Sequence, residues 1–184
     1  MSSGDGRLTH AGNLLGALTV ALADRVGDAV TQAAGGSESV AAALSSLEDF
    51  LEVPTVGLLQ QVLGLTPSGA VRLVDRLEDA GFVQRVPGGD ARVRHLTLTR
   101  RGRVSAKAAR NARALVLESA LAPLTSTERA ELDALLAKLL FGLRREPGAT
   151  RWTCRLCDTG ACGRDQGECP FVPAGRNLRS QGRV

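Results

Sequence analysis

The chain of 184 residues has no tyrosine or isoleucine, and aromatic residues make up only 3% of it. Lysine is nearly missing as well, with two lysines against 21 arginines. That skew reads as coding bias in a GC-rich genome and carries no functional weight. Scarcity of aromatics excludes a stacking platform for single-stranded nucleic acid, because Trp152 alone makes a poor one; it is better suited to packing its neighbourhood against the body of the protein. Histidine is restricted to His10 and His95, and neither lies in a triad-like context. There is no phosphate loop and no dinucleotide fingerprint. An enzyme is therefore not expected. No apolar run is long enough to cross a bilayer. Leu14–Ala23 ends in Ala21-Leu22-Ala23 and imitates a signal-peptide cleavage site, but Arg7 is balanced by Asp5 and the helical register continues through Asp24, Arg25 and Asp28. A cytoplasmic protein with no membrane contact is the expectation.

Charge is unevenly placed. Residues 66–103 hold eight arginines against four acids, as do residues 144–184, whereas the remainder carries a net −4. Two basic segments on an otherwise acidic chain form the electrostatic footprint expected for contact with phosphate.

The first basic segment has readable structure. Thr66 is a good N-cap, and Pro67 occupies the first helical position, where its missing N–H costs nothing. Ala70, Leu73, Val74 and Leu77 form a stripe at helical spacing, and Gly81 stops the helix at C′. Ser68, Arg72, Asp75 and Arg76 fall on the opposite side, free to meet a partner. A shorter apolar helix from Thr55 to Leu65 precedes it, with Gly64-Leu65 as the tight turn. Downstream, Gly88-Gly89-Asp90 supplies turn chemistry. Val93, His95 and Thr97 then alternate with Arg92, Arg94, Leu96 and Leu98, as in a strand returning from a hairpin. A helix, a short turn, a capped helix with a polar N-terminus and a basic hairpin make a winged helix-turn-helix. The fold class expected is mainly α with a small β-hairpin wing and flanking dimerisation helices.

In such a unit Ser68 and Gly69 approach DNA at the helix N-terminus, Arg72 reaches base edges and Arg76 a phosphate. Arg92 enters the minor groove with Asp90 fixing the hairpin tip, and Arg94 adds positive charge to the wing. His95 is expected to be structural or to contact phosphate.

The run from Ser68 through Arg76 to Gly81-Phe82-Val83 and Arg85, followed by Asp90-x-Arg92-x-x-x-Leu96-x-Leu98-Thr99-x-x-Gly102, resembles the MarR-type transcriptional regulators. The resemblance spans roughly residues 8 to 143. It implies a dimeric winged helix on palindromic double-stranded DNA operators, usually a repressor released by a small molecule or an oxidant.

Helices are expected on both sides of the winged unit. Leu8, Ala11, Leu15, Leu18, Leu22, Val26, Ala29 and Ala33 form one stripe, broken by Gly35-Gly36. Ser37 is a plausible cap for a helix from Glu38 to Glu52. After the wing, Arg103–Leu121 and Ser126–Leu143 read as two amphipathic helices, the second capped by Thr125 or Ser126. Their apolar faces need a partner, for which a homodimer is the natural answer. The expected division is 1–36 and 103–143 for dimerisation, 37–102 for DNA and 144–184 for a cysteine-rich tail.

All four cysteines lie within sixteen residues, as Cys154-x2-Cys157-x4-Cys162-x6-Cys169 followed by Pro170. In a reducing compartment clustered thiols read as metal ligands rather than disulfides. Four thiolates suit tetrahedral Zn²⁺, and the Cys-Pro ending leaves a [4Fe–4S] cluster as the alternative. Arg151, Arg155 and Arg164 lie beside the ligands and offset their negative charge. The site is expected to be either structural or a metal or redox sensor. A different class of reading is a thiolate–metal redox protein that uses the winged scaffold for protein contacts; Arg92 at the hairpin tip argues against it.

Overall fold

The computed structural model describes residues 8–49, 51, 53–89, 93–143, 153–164 and 166–171. Among these residues, six helices and one two-stranded antiparallel sheet are arranged as α1 (His10–Ala34), α2 (Glu38–Asp49), α3 (Val56–Leu63), α4 (Pro67–Asp79), β1 (Val83–Pro87), β2 (Arg94–Leu98), α5 (Arg100–Leu121) and α6 (Ser126–Gly142). The decoy run Leu14–Ala23 lies inside α1, and no helix among the described residues is long and apolar enough to cross a membrane.

Local chemistry explains most element ends. The Thr9, Thr55, Thr66, Thr99 and Thr125 hydroxyls each accept from a backbone N–H three residues on, satisfying a donor that a helix start leaves free. Thr125 completes a capping box with Glu128, whose carboxyl these bonds hold below its ordinary value. At the end of α4, Gly81 takes φ 69°; its N–H donates to the Glu78 carbonyl at 2.8 Å and that of Phe82 to Leu77 at 2.8 Å. That is a Schellman stop, and it feeds the chain directly into β1.

Two boundaries differ from the sequence reading. α2 ends at Asp49 rather than Glu52, because the Leu51 N–H turns back to the Ser46 carbonyl at 3.2 Å. Beyond α2, the Pro54 carbonyl accepts from Leu96 N of the wing at 2.7 Å. α5 begins at Arg100 rather than Arg103, since Thr99 caps it by accepting from Gly102 N at 3.0 Å. The same threonine donates to the Gly81 carbonyl at 2.7 Å. Gly102 is obligatory here: a Cβ at that position would sit 2.0 Å from the Phe82 carbonyl oxygen.

The core joins α2, α3, α4, the wing and the start of α5. Leu44, Leu59, Leu73, Leu77 and Leu96 are among its fully enclosed side chains. A smaller cluster of Val30, Ala34, Ala41 and Ala109 ties α1 to α2 and α5, reinforced by the buried Ser105 hydroxyl donating to Ala34 O at 2.7 Å. Beyond it apolar residues are left uncovered. Leu14, Leu15 and Leu18 of α1 are exposed, and α6 buries no residue. Leu135, Leu136, Leu139 and Phe141 of α6 are likewise exposed in the single chain.

Candidate nucleic-acid interface and cysteine lobe

α3 and α4 meet through the Gly64-Leu65 turn, with Gly64 left-handed at φ 61°. α4 turns Ala70, Leu73, Val74 and Leu77 inward and leaves Ser68, Arg72, Asp75 and Arg76 exposed. Gly69, half-buried, donates its N–H to the Thr66 hydroxyl at 3.1 Å. A groove of about 470 Å³ beside this face is lined by Gly69, Arg72, Asp75, Arg76 and, from α2, Ser39. No described residue forms an ion pair with Arg72, Arg76 or Arg94. Their guanidinium groups are available to an anion.

Asp75 is not free, contrary to expectation. Arg85 of β1 reaches it at 2.5 Å and also binds the Glu78 carboxylate, while Arg85 N donates to Glu78 at 3.2 Å. One arginine thus bolts the wing to the exposed side of α4, a constraint on orientation rather than a ligand contact.

Within the wing, Val83 pairs with Leu98, Arg85 with Leu96 and Pro87 with Arg94. Leu96 and Leu98 point into the core, while Arg94 and Thr97 are exposed. The hairpin closes through Gly88 N to the Val93 carbonyl at 2.9 Å. Asp90 and Arg92, expected at the tip, lie outside the described residues. His95 is half-buried, and its Nδ1 is enclosed with no hydrogen-bond partner among the described residues. The base of the wing is fixed by Arg103 donating to the Leu98 carbonyl at 2.7 Å and by Arg101 stacking 5.0 Å over the Phe82 ring.

The cysteines occupy a separate lobe of short turns. The Cys157 N–H donates to the Cys154 carbonyl at 2.9 Å, and the Cys162 N–H to the Asp158 carbonyl at 3.1 Å. Gly163 and Gly167 take φ of 61° and 79°, which lets the chain double back so that Glu168 N reaches Gly163 O at 2.9 Å. Cys169 is buried and the other three are half-buried. Hydrogen bonding to Cys157 and burial push the Cys154 thiol well up. The same contact, aided by Arg113 and Arg164, brings Cys157 down to about 6. Burial and the neighbouring Cys169 push Cys162 up to about 11. The thiols act on one another most strongly as two pairs, 154 with 157 and 162 with 169. Among the described residues no three donors already surround a common point as a finished cation site. Arg151 and Trp152 lie outside the described residues.

Sequence reasoning missed how the lobe is seated. Ser46, fully buried in α2, donates to the Arg155 carbonyl at 3.3 Å, and the Thr159 hydroxyl donates to the Asp49 carbonyl at 3.3 Å. Arg155 pairs with Glu38 at 3.5 Å, and Leu156 packs on the main core. The one available signal was the Ser45-Ser46 pair inside the otherwise apolar run from Val40 to Leu47.

The arrangement defines a winged helix-turn-helix protein. The model of the MarR family matches residues 37–92. A MarR family protein of Mycobacterium tuberculosis, Rv2887, solved in complex with p-aminosalicylic acid, is 28% identical; the match covers 71% of this chain and 98% of that one, with a TM-score of 0.55. YusO of Bacillus subtilis is similar at 23% identity, 76% and 98% coverage and a TM-score of 0.62. A Staphylococcus aureus MepR mutant bound to an oligodeoxyribonucleotide is similar at 17% identity, 75% and 100% coverage and a TM-score of 0.56. No curated protein sequence matches the chain significantly. The MarR family model thus covers the winged unit of this chain, and solved proteins of that type share its fold.

Proposed function

We propose that the chain acts in the cytoplasm as a homodimeric repressor on a pseudo-palindromic double-stranded DNA operator. The observation that carries this reading is the outward face of α4, where Ser68, Arg72 and Arg76 are exposed next to a wing that carries Arg94. Ser68 and Gly69 approach the backbone at the helix N-terminus, Arg72 reads base edges and Arg76 neutralises a phosphate. Arg92 and Asp90 serve the minor groove from the hairpin tip. Support for DNA as the ligand comes from the similar MepR mutant, solved with an oligodeoxyribonucleotide. That the similar Rv2887 was solved with p-aminosalicylic acid supports a small-molecule effector here, with an oxidant as the other candidate.

The second copy is assigned to the apolar surface of α1 and α6, which is too extensive to leave in water. With two-fold symmetry, the two α4 helices meet half-sites about 10 base pairs apart.

Cys154, Cys157, Cys162 and Cys169 are assigned to one Zn²⁺ per chain, with a [4Fe–4S] cluster as the alternative. Thiolate donors suit both, and Arg113 and Arg164 favour the deprotonated form of Cys157. Binding requires the two thiol pairs to close on each other. Metal analysis of anaerobically purified protein checks the assignment, and a brown colour identifies the cluster.

The test of DNA reading separates two arginines. Arg72→Ala should relax preference at one operator position at a cost of about 1–3 kcal/mol. Arg76→Ala should weaken all sequences alike and lower the salt dependence by about one charge. Uniform loss from both variants would remove Arg72 as a reader.

A further inference from the structure

We infer that Val71 reads a thymine of the operator through its C5-methyl group in the major groove. The inference rests on the DNA reading above and adds an apolar reader to it.

The other aliphatic side chains of α4 are spent on the core: Ala70, Leu73, Val74 and Leu77 are at most 1% exposed. Val71 is 46% exposed and belongs to neither hydrophobic cluster. Among the described residues, every other large apolar side chain exposed on a helix lies on α1, α5 or α6. Those are the outer helices, whereas α2, α3 and α4 of the reading head leave out Val71 alone. Nor does the helix itself ask for a valine. A branched Cβ restricts χ1 against the preceding turn, and alanine or glutamate serves an exposed helical site better. Nothing within the chain explains the residue.

Its neighbours say what it meets. Ser68, Val71, Arg72 and Asp75 are spaced i, i+3, i+4 and i+7, so they share one face of the N-terminal half of α4. The homeodomain variant of the helix-turn-helix reads base edges at this same spacing. Arg85 takes up the Asp75 carboxylate at 2.5 Å, so the acid among the four does not repel a phosphate. Arg72 and, beside this face, Arg76 have no acidic partner among the described residues. An apolar protein surface over Val71 would desolvate these guanidinium groups without pairing them, which is costly. The major groove carries no such penalty. Phosphates flank it for the arginines, and its polar floor offers one apolar group, the thymine methyl. Cytosine presents an amino group there instead and leaves the valine against a polar donor, so thymine is preferred. Consecutive Cα atoms are about 3.8 Å apart and base pairs follow every ~3.4 Å, which puts this thymine within about two pairs of the one Arg72 reads.

The test uses the full chain and a duplex that wild type selects from a random pool. Each thymine is replaced in turn by deoxyuridine, which pairs as thymine does and lacks only the methyl group. At one position near the Arg72-dependent pair, the replacement should weaken wild-type binding about fourfold, the worth of one buried methyl. Val71→Ala should weaken the unmodified duplex by a similar factor and lose less than about twofold more on that replacement, the signature of a coupled pair. Arg72→Ala should keep the full deoxyuridine loss. Wild type that tolerates deoxyuridine at every position would overturn the inference and leave α4 a purely polar reader. A loss that persists undiminished in Val71→Ala would assign the methyl to another side chain and overturn it as well. A chain that selects no duplex at all overturns the DNA reading and the inference together.

Discussion

The outer helices are richer in leucine and alanine than the reading head, yet they enclose far less of it. In the head, Leu59, Leu73, Leu77 and Leu96 are all at most 2% exposed, and α3, α4 and the wing close on one another. In the outer helices, Leu18 is 52% exposed, Leu139 48% and Leu115 74%. The head is a complete core. The outer helices, in the single chain, are not. Apolar surface on that scale is favourable only if something covers it, and surfaces on α1 and α6 of one chain suit the same surfaces on a two-fold mate.

Truncating one leucine on each side puts the contrast to the test. Leu73→Ala should cost about 2–5 kcal/mol, as for other enclosed leucines, and the loss should not depend on protein concentration. Leu136→Ala should cost less, up to about 3 kcal/mol, and its effect should grow on dilution because it acts on association. Urea unfolding at two protein concentrations reads both. A concentration-independent loss at Leu136 would place it in a core of its own chain.

The next effect concerns how the head holds its shape. Arg85→Ala removes the link from β1 to Asp75 and Glu78 of α4. These groups are partly exposed, so the stability loss should be about 1 kcal/mol or less. Its larger consequence should be a uniform loss of DNA affinity, since the wing and α4 are no longer held at one angle. An unchanged affinity would show that the core alone fixes that angle.

The smallest effect belongs to Asp49, in the last turn of α2. Burial raises its carboxyl above the ordinary 3.8, and the Arg110 charge offsets only part of that. The folded chain therefore binds this proton more tightly than the unfolded chain. Its contribution is greatest below pH 3.8 and is lost as pH rises through the folded value. Wild type should lose stability relative to Asp49→Asn over that rise in pH, measured by urea unfolding. A gap that widens in favour of wild type would mean the Arg110 pair outweighs burial.

Local chemistry was legible in the sequence, and long-range chemistry was not. Thr66-Pro67, Gly81 and the Gly88-Gly89 turn announce α4 and the wing because caps and turns depend on neighbours only. The alternation of Leu96 and Leu98 announces the buried side of β2 for the same reason. The duty of Thr99 as the cap of α5 is hidden in the sequence by the unpromising Arg-Arg-Gly that follows it. Asp75 looked free because its partner Arg85 returns to it only after the chain has turned into β1. The seat of the cysteine lobe was invisible, since the Ser46 contact with Arg155 joins residues 109 positions apart.

The central claim is that the uncovered helices of one chain complete their core in a second, and so set two reading heads at a fixed spacing. Sedimentation equilibrium of the full chain at micromolar concentration tests it most directly. The account predicts a single species of twice the 19.2 kDa chain mass. A species of 19.2 kDa under those conditions would contradict it.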